Sequence, residues 1–434
     1  MVQIVDQTFT NYGDKWSQLT AGSESLSAIR KSKKESLASL VYPNRKVEEW
    51  KYTNITKLAG VSFKAASKAT LSDDQRMQLS DSKFTNLFIV NGVIEEGSFK
   101  EVSKVEGISL FTLTEAYENH AEELSRLDKR LATKYDTPFF ELNSSMLEEG
   151  FVLMVHEKAV VEKPIKVTYV SINQKTEETV QPKIVIISGE RSDFTLVEHF
   201  ASIGSDGSFH NVVTDIEVRK GARLSHTRTV TEAEGCTHIS AVRAVLDSDA
   251  VYTNMNACLS GEIVRQDLNV ILDGKHAEAY LNGIYFNTEN GHFDNHLNVI
   301  HRMPEAKSRQ VYKGAMGGKS RGVFNGKIII ERDAQLSDAG QINKNLLLSD
   351  TAEIDTKPEL WVDADDVKAA HGATVSQIDE NEIFYLQTRG IDKVRAKNML
   401  SRGFVEEVVY KETNDDVRGF VDSLLSLAFA GKSK

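Results

Sequence analysis

Hydrophobic and polar residues change their spacing several times along this chain. From Met1 to about Thr70 the apolar residues follow helical spacing, a strand pattern begins near Lys83, and 113–135 returns to helical composition. From about Phe139 to Val375 apolar and polar residues alternate in short segments that end in Gly, Asp or Ser turns. Because no helical stretch interrupts this alternation, the pattern predicts a long β region and argues against a parallel α/β sheet.

A repeat of near-constant length runs through the β region. A turn followed by a small or apolar residue recurs at steps of 28, 28, 27, 29 and 28 residues. These turns are Asp193-Phe194, Gly221-Ala222, Asp249-Ala250, His276-Ala277, Glu305-Ala306 and Asp333-Ala334. Such a step favours a β-helix or related solenoid over a sandwich. The next such turn, Thr351-Ala352, follows after only 18 residues, which predicts a shorter or irregular last coil.

The chain after His371 is predicted to be helical again. Asp379 has the character of an N-cap and Gly390 is placed to end that helix, whereas Asp392 and Gly403 bracket a second helix. A third helix is indicated by an apolar stripe at helical spacing that comprises Val417, Phe420, Val421, Leu424, Leu425 and Ala428.

These patterns divide the chain into three parts. We expect a helical and small α/β domain in residues 1–150, a β-helix core in 151–375 and a helical domain in 376–434. Within the first part, Asn91-Gly92 predicts a hairpin, because both residues tolerate a positive φ. The fold class is therefore mainly β, and the terminal helices would cap the ends of the solenoid.

Composition narrows the classes of function. The formal net charge of −11 argues against nucleic-acid binding. No apolar run is long enough to span a membrane and the N-terminus does not read as a secretory signal, so we expect a cytoplasmic protein. Cys236 and Cys258, the only cysteines, exclude a disulfide framework or a multi-cysteine zinc site. Both are expected to be buried and structural, although His238 could share a strand face with Cys236.

Two motifs suggest chemistry that we do not assign. Gly314 to Ser320 resembles a phosphate-binding P-loop but has one residue too few between its glycines, and strand pattern follows it. We therefore reject ATP hydrolysis by this chain. His292, Asp294 and His296 would share one face of a strand and could bind zinc or iron. Because they spread over about 13 Å, a solvated or interface-lining polar row is the favoured interpretation.

Longer motifs resemble a known family. The runs Asp365–Val375 and Ile383–Ile391, together with Gly326–Ile328, Gln341–Ser349 and Glu48–Thr53, closely resemble the SufB/SufD family of the SUF iron–sulfur cluster assembly machinery. The similarity covers essentially the whole chain, and the sequence His-Gly-Ala-Thr with no cysteine near it resembles the SufD branch. The resemblance implies a right-handed parallel β-helix between helical end domains, which agrees with the solenoid inferred from the repeat.

The resemblance also implies partners and cofactors. It implies a complex with a SufB-like subunit and a SufC-like ABC-type ATPase, and nucleotide hydrolysis would belong to that ATPase. The C-terminal helices would dock the ATPase, with Tyr385, Arg389, Gly390 and Phe404 as the expected partner-binding residues. A transient iron–sulfur cluster and reduced flavin are implied for the assembled complex, and a homodimer is expected for the isolated chain.

His371 is the candidate site residue. Spacing alone identifies only a histidine at the junction between β region and helices. The resemblance implies that it lies at the interface with the SufB-like subunit, helps to assemble the nascent cluster and shares a metal with that partner chain. Family members often carry a cysteine two residues earlier, where this chain has Ala369. The other ligands would therefore come from the partner.

Three functional hypotheses remain open from the sequence. The leading one is a non-catalytic scaffold subunit of the iron–sulfur cluster assembly complex. A β-helical carbohydrate-active enzyme is the second, although no acidic cluster recurs on one face and no secretion signal is evident. The third is a purely structural homodimer formed through exposed sheet edges.

Overall fold

The computed structural model describes residues 8–19, 24–147, 150–205 and 207–430. Short 3-10 helices occupy Phe9–Tyr12 and Glu48–Trp50. The α-helices of the described residues are α1 (Gly13–Gln18), α2 (Glu24–Leu37), α3 (Thr56–Ala59), α4 (Asp73–Leu79), α5 (Glu96–Val102), α6 (Leu113–Asn119), α7 (Ala121–Leu131), α8 (Pro138–Ser144), α9 (Glu380–Gln387), α10 (Lys393–Val409) and α11 (Asp415–Ala430). The strands are β1 (Lys64–Ala65), β2 (Thr85–Val90), β3 (Val93–Ile94), β4 (Ile108–Thr112), β5 (Gly150–Val155), β6 (Ile165–Ile172), β7 (Glu178–Val180), β8 (Lys183–Ser188), β9 (Asp193–Ile203), β10 (Phe209–Val218), β11 (Arg223–Thr231), β12 (Thr237–Leu246), β13 (Val251–Ser260), β14 (Ile263–Leu272), β15 (Glu278–Asn287), β16 (His292–His301), β17 (Lys307–Met316), β18 (Arg321–Ile330), β19 (Asp338–Leu347), β20 (Glu353–Val362) and β21 (Lys368–Gln377).

Successive strands from β8 onward enter two sheets alternately. One sheet has the order β20-β18-β16-β14-β12-β10-β8-β5-β4, and the other has the order β21-β19-β17-β15-β13-β11-β9-β6-β2-β3. From β8 to β21 each strand pairs in parallel with the strands two places before and after it. Apolar side chains of both sheets fill the space between them, from Leu87 and Phe151 to Phe324. The predicted β-solenoid with terminal helical regions is therefore confirmed.

Left-handed residues set the turns of the central coils. Gly221, Asp249, His276 and Glu305 have φ values of 66°, 60°, 57° and 62°, and a buried alanine follows each of them. This conformation suits glycine and is tolerated by aspartate and histidine. The predicted turns are confirmed at these four positions.

The turns at the two ends of the repeat lie elsewhere. The left-handed residues there are Arg191 and Leu336, with φ of 57° and 62°, so the predictions at Asp193-Phe194 and Asp333-Ala334 were wrong by two and three residues. The coils between Arg191 and Gly221 and between Glu305 and Leu336 contain 30 and 31 residues, which a constant step does not reveal. Thr351-Ala352 precedes β20 and belongs to the other sheet, and β20 and β21 each have ten residues, so the last coil is not shorter.

Other boundaries confirm some predictions and correct others. Asn91 and Gly92, with φ of 47° and 83°, join the antiparallel strands β2 and β3 as predicted. The predicted β region from Phe139 begins instead with α8, because Pro138 occupies the first helical turn, where its fixed φ suits a helix. The first solenoid strand begins at Gly150.

The C-terminal helices begin where predicted, but one ends later. The Asp379 and Asp392 side chains accept backbone N–H hydrogen bonds at the starts of α9 and α10. The prediction that Gly403 ends α10 was wrong. Val405 and Val408, beyond it, are buried against the solenoid, and this contact outweighs a glycine cost of about 1 kcal/mol in a helix. In α11 the predicted stripe is confirmed, with Val417 among its fully buried positions.

The terminal regions adjoin the solenoid directly. Strand β2 pairs in parallel with β6, and β4 pairs with β5 in the antiparallel sense. At the other terminus, an apolar cluster joins α10 and α11 to β13, β15 and β17. The division at residues 150 and 375 stays a prediction. Within the described residues no helix has the length and apolar character required to cross a membrane.

Arg243 of β12 connects the N-terminal helices to the solenoid. Its guanidinium donates to both carboxylate oxygens of Asp215, at 2.8 and 2.9 Å, and to Asp128 of α7 at 2.9 Å. It also lies 3.6 Å from the ring centroid of Phe140 in α8. Burial alone would raise the pKa of Asp215, but the charges of Arg243 and Lys183 outweigh it and lower that pKa to about 2.

We expect Arg243→Ala to lower the free energy of unfolding by about 3–5 kcal/mol, because it leaves buried carboxylates unpaired. Arg302→Ala is the matched control. Its nearest carboxylate oxygens are 3.6 and 3.9 Å away and its side chain is 30% exposed, so an effect below about 1 kcal/mol is expected. Urea denaturation followed by circular dichroism measures both, and equal effects would contradict the prediction.

Candidate functional site

The last coil of the solenoid has an open side. Strands β20 and β21 are each the terminal strand of their sheet. Within the described residues nearly every side chain of β21 is exposed, whereas the strands of the central coils are mostly buried. Exposed apolar residues on this coil are Trp361, Val362 and Val375. An uncovered strand presents unpaired backbone N–H and C=O groups, which another chain can bind.

His371 continues a polar row from the solenoid interior. It is the register partner of Gln341 on β19, and Gln341 is in turn the partner of Gln310 on β17. Gln341 and Gln310 are buried, and the Gln341 side-chain amide donates to Gln310 Oε1 at 2.9 Å. Because side chains alternate along a strand, His371 lies on the same face as these two residues. It is exposed, and its imidazole has no hydrogen bond within the described part of the chain.

The position two residues before His371 has apolar surroundings. Ala369 is partly buried against a cluster that includes Ile328, Ile330 and Ala339. Its methyl group offers no ligand atom. From this chain, the described face at position 371 therefore presents an imidazole without an adjacent thiolate.

Charged residues occupy the solenoid interior further from the open coil. Glu198 of β9 accepts from His226 Nε2 at 2.8 Å, from Arg228 Nε at 3.0 Å and from the Tyr169 hydroxyl at 2.9 Å. Burial would raise the pKa of Glu198, but the Arg228 charge and these hydrogen bonds lower it to about 2. We did not predict this group from the sequence. The available signal was the spacing of polar residues by two from buried apolar ones within the same strands.

The expected partner-binding residues occupy two environments. Tyr385 is 56% exposed on α9, and the Arg389 guanidinium lies 4.5 Å from its ring centroid. Gly390 follows α9 with a φ of 83°. Phe404 is partly buried on α10, where Lys313 Nζ lies 4.4 Å from its ring centroid. The structure thus places the first three residues near one exposed helix end and Phe404 against the solenoid.

The row His292, Asp294 and His296 contacts the N-terminal segment. The Thr53 hydroxyl lies 2.8 Å from His292 Nε2 and donates to Asp294. Arg265 Nη1 donates to Asp294 at 2.8 Å, and His296 Nε2 lies 2.9 Å from the same carboxylate. The charges of His296 and Arg265 hold the pKa of Asp294 below its usual range, although burial opposes this. The row therefore lines an intramolecular contact, in agreement with the favoured interpretation.

The remaining candidates are also resolved. Gly314 to Ser320 joins β17 to β18 through a tight turn, so the described chain has no helix N-terminus there that could bind a phosphate. Cys236 and Cys258 are buried, as expected.

We expect His371→Ala to change the free energy of unfolding by less than about 0.5 kcal/mol, since the imidazole is exposed. Gln341→Ala, one coil earlier in the same row, should cost about 1–3 kcal/mol because it leaves Gln310 without its donor. Thermal and urea denaturation compare the two variants. A large loss in His371→Ala would mean that this histidine stabilises the fold.

Sequence comparisons are consistent across the chain. Residues 170–404 match the family model "SUF system FeS cluster assembly, SufBD core domain", and residues 5–167 match "SufBD protein N-terminal region". The iron–sulfur cluster assembly protein SufD of Escherichia coli (strain K12) is 29% identical over 371 residues, 84% of each chain. An iron–sulfur cluster assembly SufBD family protein of Synechocystis is 25% identical, covering 86% of this chain and 84% of its own. The chloroplastic protein ABCI7 of Arabidopsis thaliana is 27% identical, covering 93% of this chain and 86% of its own. Because the two models match most of its length, this chain belongs to the SufBD family of the SUF iron–sulfur cluster assembly system.

Proposed function

We propose that this chain is a non-catalytic scaffold subunit on which an iron–sulfur cluster is assembled at an interface with a SufB-like subunit. The observation that carries the proposal is the open last coil with an exposed, unbonded His371. Family membership supports a role in cluster assembly, and the E. coli relative is itself named an iron–sulfur cluster assembly protein.

Pairing through β20 and β21 fits the chemistry of the open coil. A second chain can satisfy the free backbone groups of these strands and cover Trp361, Val362 and Val375. In the isolated protein, we propose that a second copy of this chain covers the same surface and forms a homodimer.

His371 would then be half of a shared site. Imidazole nitrogen is a good iron ligand, and a site between two subunits can open when they move. Ala369 offers no thiolate, so we assign the sulfur ligands of the transient cluster to the partner. The cluster is the product of this assembly and is not a resident cofactor of the isolated chain.

We propose α9 and α10 as the docking surface for a SufC-like ABC-type ATPase. They present a group of exposed apolar residues that comprises Phe384, Tyr385, Val394 and Met399. An exposed patch of this kind is typical of a protein interface. Nucleotide hydrolysis and the reduced flavin are assigned to the assembled complex, because the turn at Gly314 to Ser320 leads into a strand and is unsuited to cradle a phosphate.

Neither alternative function gains support from the buried acidic residues. The carboxylates of Glu198, Asp215 and Asp294 are each paired with an arginine, so none of these three is available as the general acid of a carbohydrate-active enzyme. Turnover of a polyuronide by the purified protein would revive that hypothesis. Self-association with no retained partner on co-expression would favour the structural homodimer.

In co-expression with SufB-like and SufC-like partners, His371→Ala should reduce the cluster content of the anaerobically isolated complex at least tenfold without dissociating it. Absorption spectroscopy with iron and acid-labile sulfide analysis gives the readout. His276→Ala, an exposed histidine in a distant turn, is the control and should retain the cluster. Normal cluster content in the His371→Ala complex would remove the site assignment, whereas the scaffold assignment would survive.

The double variant Phe384→Asp/Tyr385→Asp should reduce retention of the ATPase on the tagged complex at least tenfold, because charges would replace apolar contact area. Met77→Asp on α4 alters a residue of similar exposure, 72%, and should retain the ATPase. Circular dichroism confirms that both variants are folded. Equal retention of the ATPase by the two variants would rule out α9 as the docking surface.

A further inference from the structure

A second group of metal-binding residue types lies inside the solenoid. His210 on β10 and His238 on β12 are register partners, and both occupy positions that alternate with buried apolar residues of the interior. Glu232 and Cys236 lie in the connection from β11 to β12, which brings them to the same corner of the coil. All four side chains are buried.

The ligand atoms of this group converge. Glu232 Oε1 is 2.5 Å from His210 Nδ1, and Glu232 Oε2 is 3.2 Å from His238 Nδ1. Cys236 Sγ is 3.2 Å from Glu232 Oε2 and 3.5 Å from His210 Nδ1. One ligand atom from each histidine and from the glutamate lie within 4.8 Å of one another. Ligand atoms of a tetrahedral zinc site are separated by roughly 3.3–3.6 Å, so three of the four contacts already have that spacing.

The hydrogen bonds of His210 orient a ring nitrogen toward the group. Its Nε2 lies 2.9 Å from Gln174 Oε1, which can only accept, so Nε2 carries a hydrogen. Gln174 is itself held by its amide, which donates to Asn91 Oδ1 at 3.2 Å. In the neutral ring Nδ1 then directs a lone pair at the Glu232 carboxylate. Two acceptors that face each other require a proton or a cation between them, and an amide oxygen behind the ring is a usual second partner of a metal-bound histidine.

His238 supplies an independent observation. It is fully buried, yet neither of its ring nitrogens has a hydrogen-bond partner within the described residues. Its Nδ1 is 3.2 Å from Glu232 without hydrogen-bond geometry. Leaving a buried polar group unpaired costs about 1–3 kcal/mol. A metal ligand in this position would avoid that cost.

We propose that His210, Glu232, Cys236 and His238 bind one divalent transition-metal ion, with Zn²⁺ as the ion that best fits two imidazoles, a carboxylate and a thiolate. Binding releases the thiol proton and any proton shared by His210 and Glu232. The ion, one thiolate and one carboxylate together are electrically neutral, which suits a fully buried site. Because the Nδ1–Oε1 contact is too short to admit an ion, we expect it to lengthen by roughly 0.5–1 Å on binding. Enclosed within the coil, the ion would stabilise the fold, and this inference does not rest on the proposed function at His371.

Metal content of the full-length chain tests the proposal. Protein expressed with added zinc, or refolded with Zn²⁺, should retain about one ion per chain after gel filtration with a weak chelator, as measured by mass spectrometry of the metal. Parallel samples with Fe²⁺ decide between the two metals. Retention of less than about 0.1 ion per chain with either metal would overturn the proposal.

Co²⁺ identifies the ligands. The Co²⁺-loaded chain should show a thiolate-to-cobalt absorption band that is lost in Cys236→Ala and retained in Cys258→Ala, since Cys258 instead accepts from Gln266 Nε2 at 3.3 Å. His238→Gln and Gln174→Leu should weaken binding at least tenfold, the latter as the less disruptive variant if removal of a ligand prevents folding. An unchanged band in Cys236→Ala, or unchanged affinity in both other variants, would contradict the assignment.

Discussion

The stacking of parallel strands from one coil to the next is the constraint on which this molecule depends. Each coil satisfies its backbone groups and buries its interior residues only against its two neighbours. At the N-terminal end, β2 and β4 extend the two sheets and cover their apolar residues. At the other end β20 and β21 have no described successor, so the free groups and the exposed face at His371 follow from the same rule.

The solenoid interior is unusual in the charge that it contains. Glu198, Arg228 and His226 form a fully buried group, and Arg243 with Asp215 forms another at the N-terminal helices. Replacing such pairs by apolar residues is often neutral for stability, whereas removing one partner is costly. We infer that these pairs set the register of the coils and the placement of the N-terminal helices, because only one alignment brings the charges together.

Histidines occupy two different chemical environments along this interior. His371 lies on the open coil, exposed and free to accept a ligand supplied with another chain. His210 and His238 are enclosed among side chains of their own chain, which suits an ion that stays bound. The difference arises from position along the stack, since the same inward-facing strand position is sealed in a central coil and open in the last one.

Local patterns in the sequence determined the class of fold. The alternation of residues and the turns near Gly221 and Asp249 specified a solenoid, and the run around His371 specified the family and its candidate site. These features depend on neighbours in the chain, so they can be read without a structure. The extension of α10 beyond Gly403 required knowledge of the apolar surface on which it packs.

Contacts between coils were decided only by the tertiary structure. The coils differ in length by a few residues, and because a shift of one residue reverses the direction of a side chain, an average step cannot say which residues meet. The sequence therefore identified Cys236 and His238 as a pair without showing that His210 and Glu232 join them from other positions. The convergence of these four side chains depends on the exact register of β10 and β12 and on the path of the connection between β11 and β12.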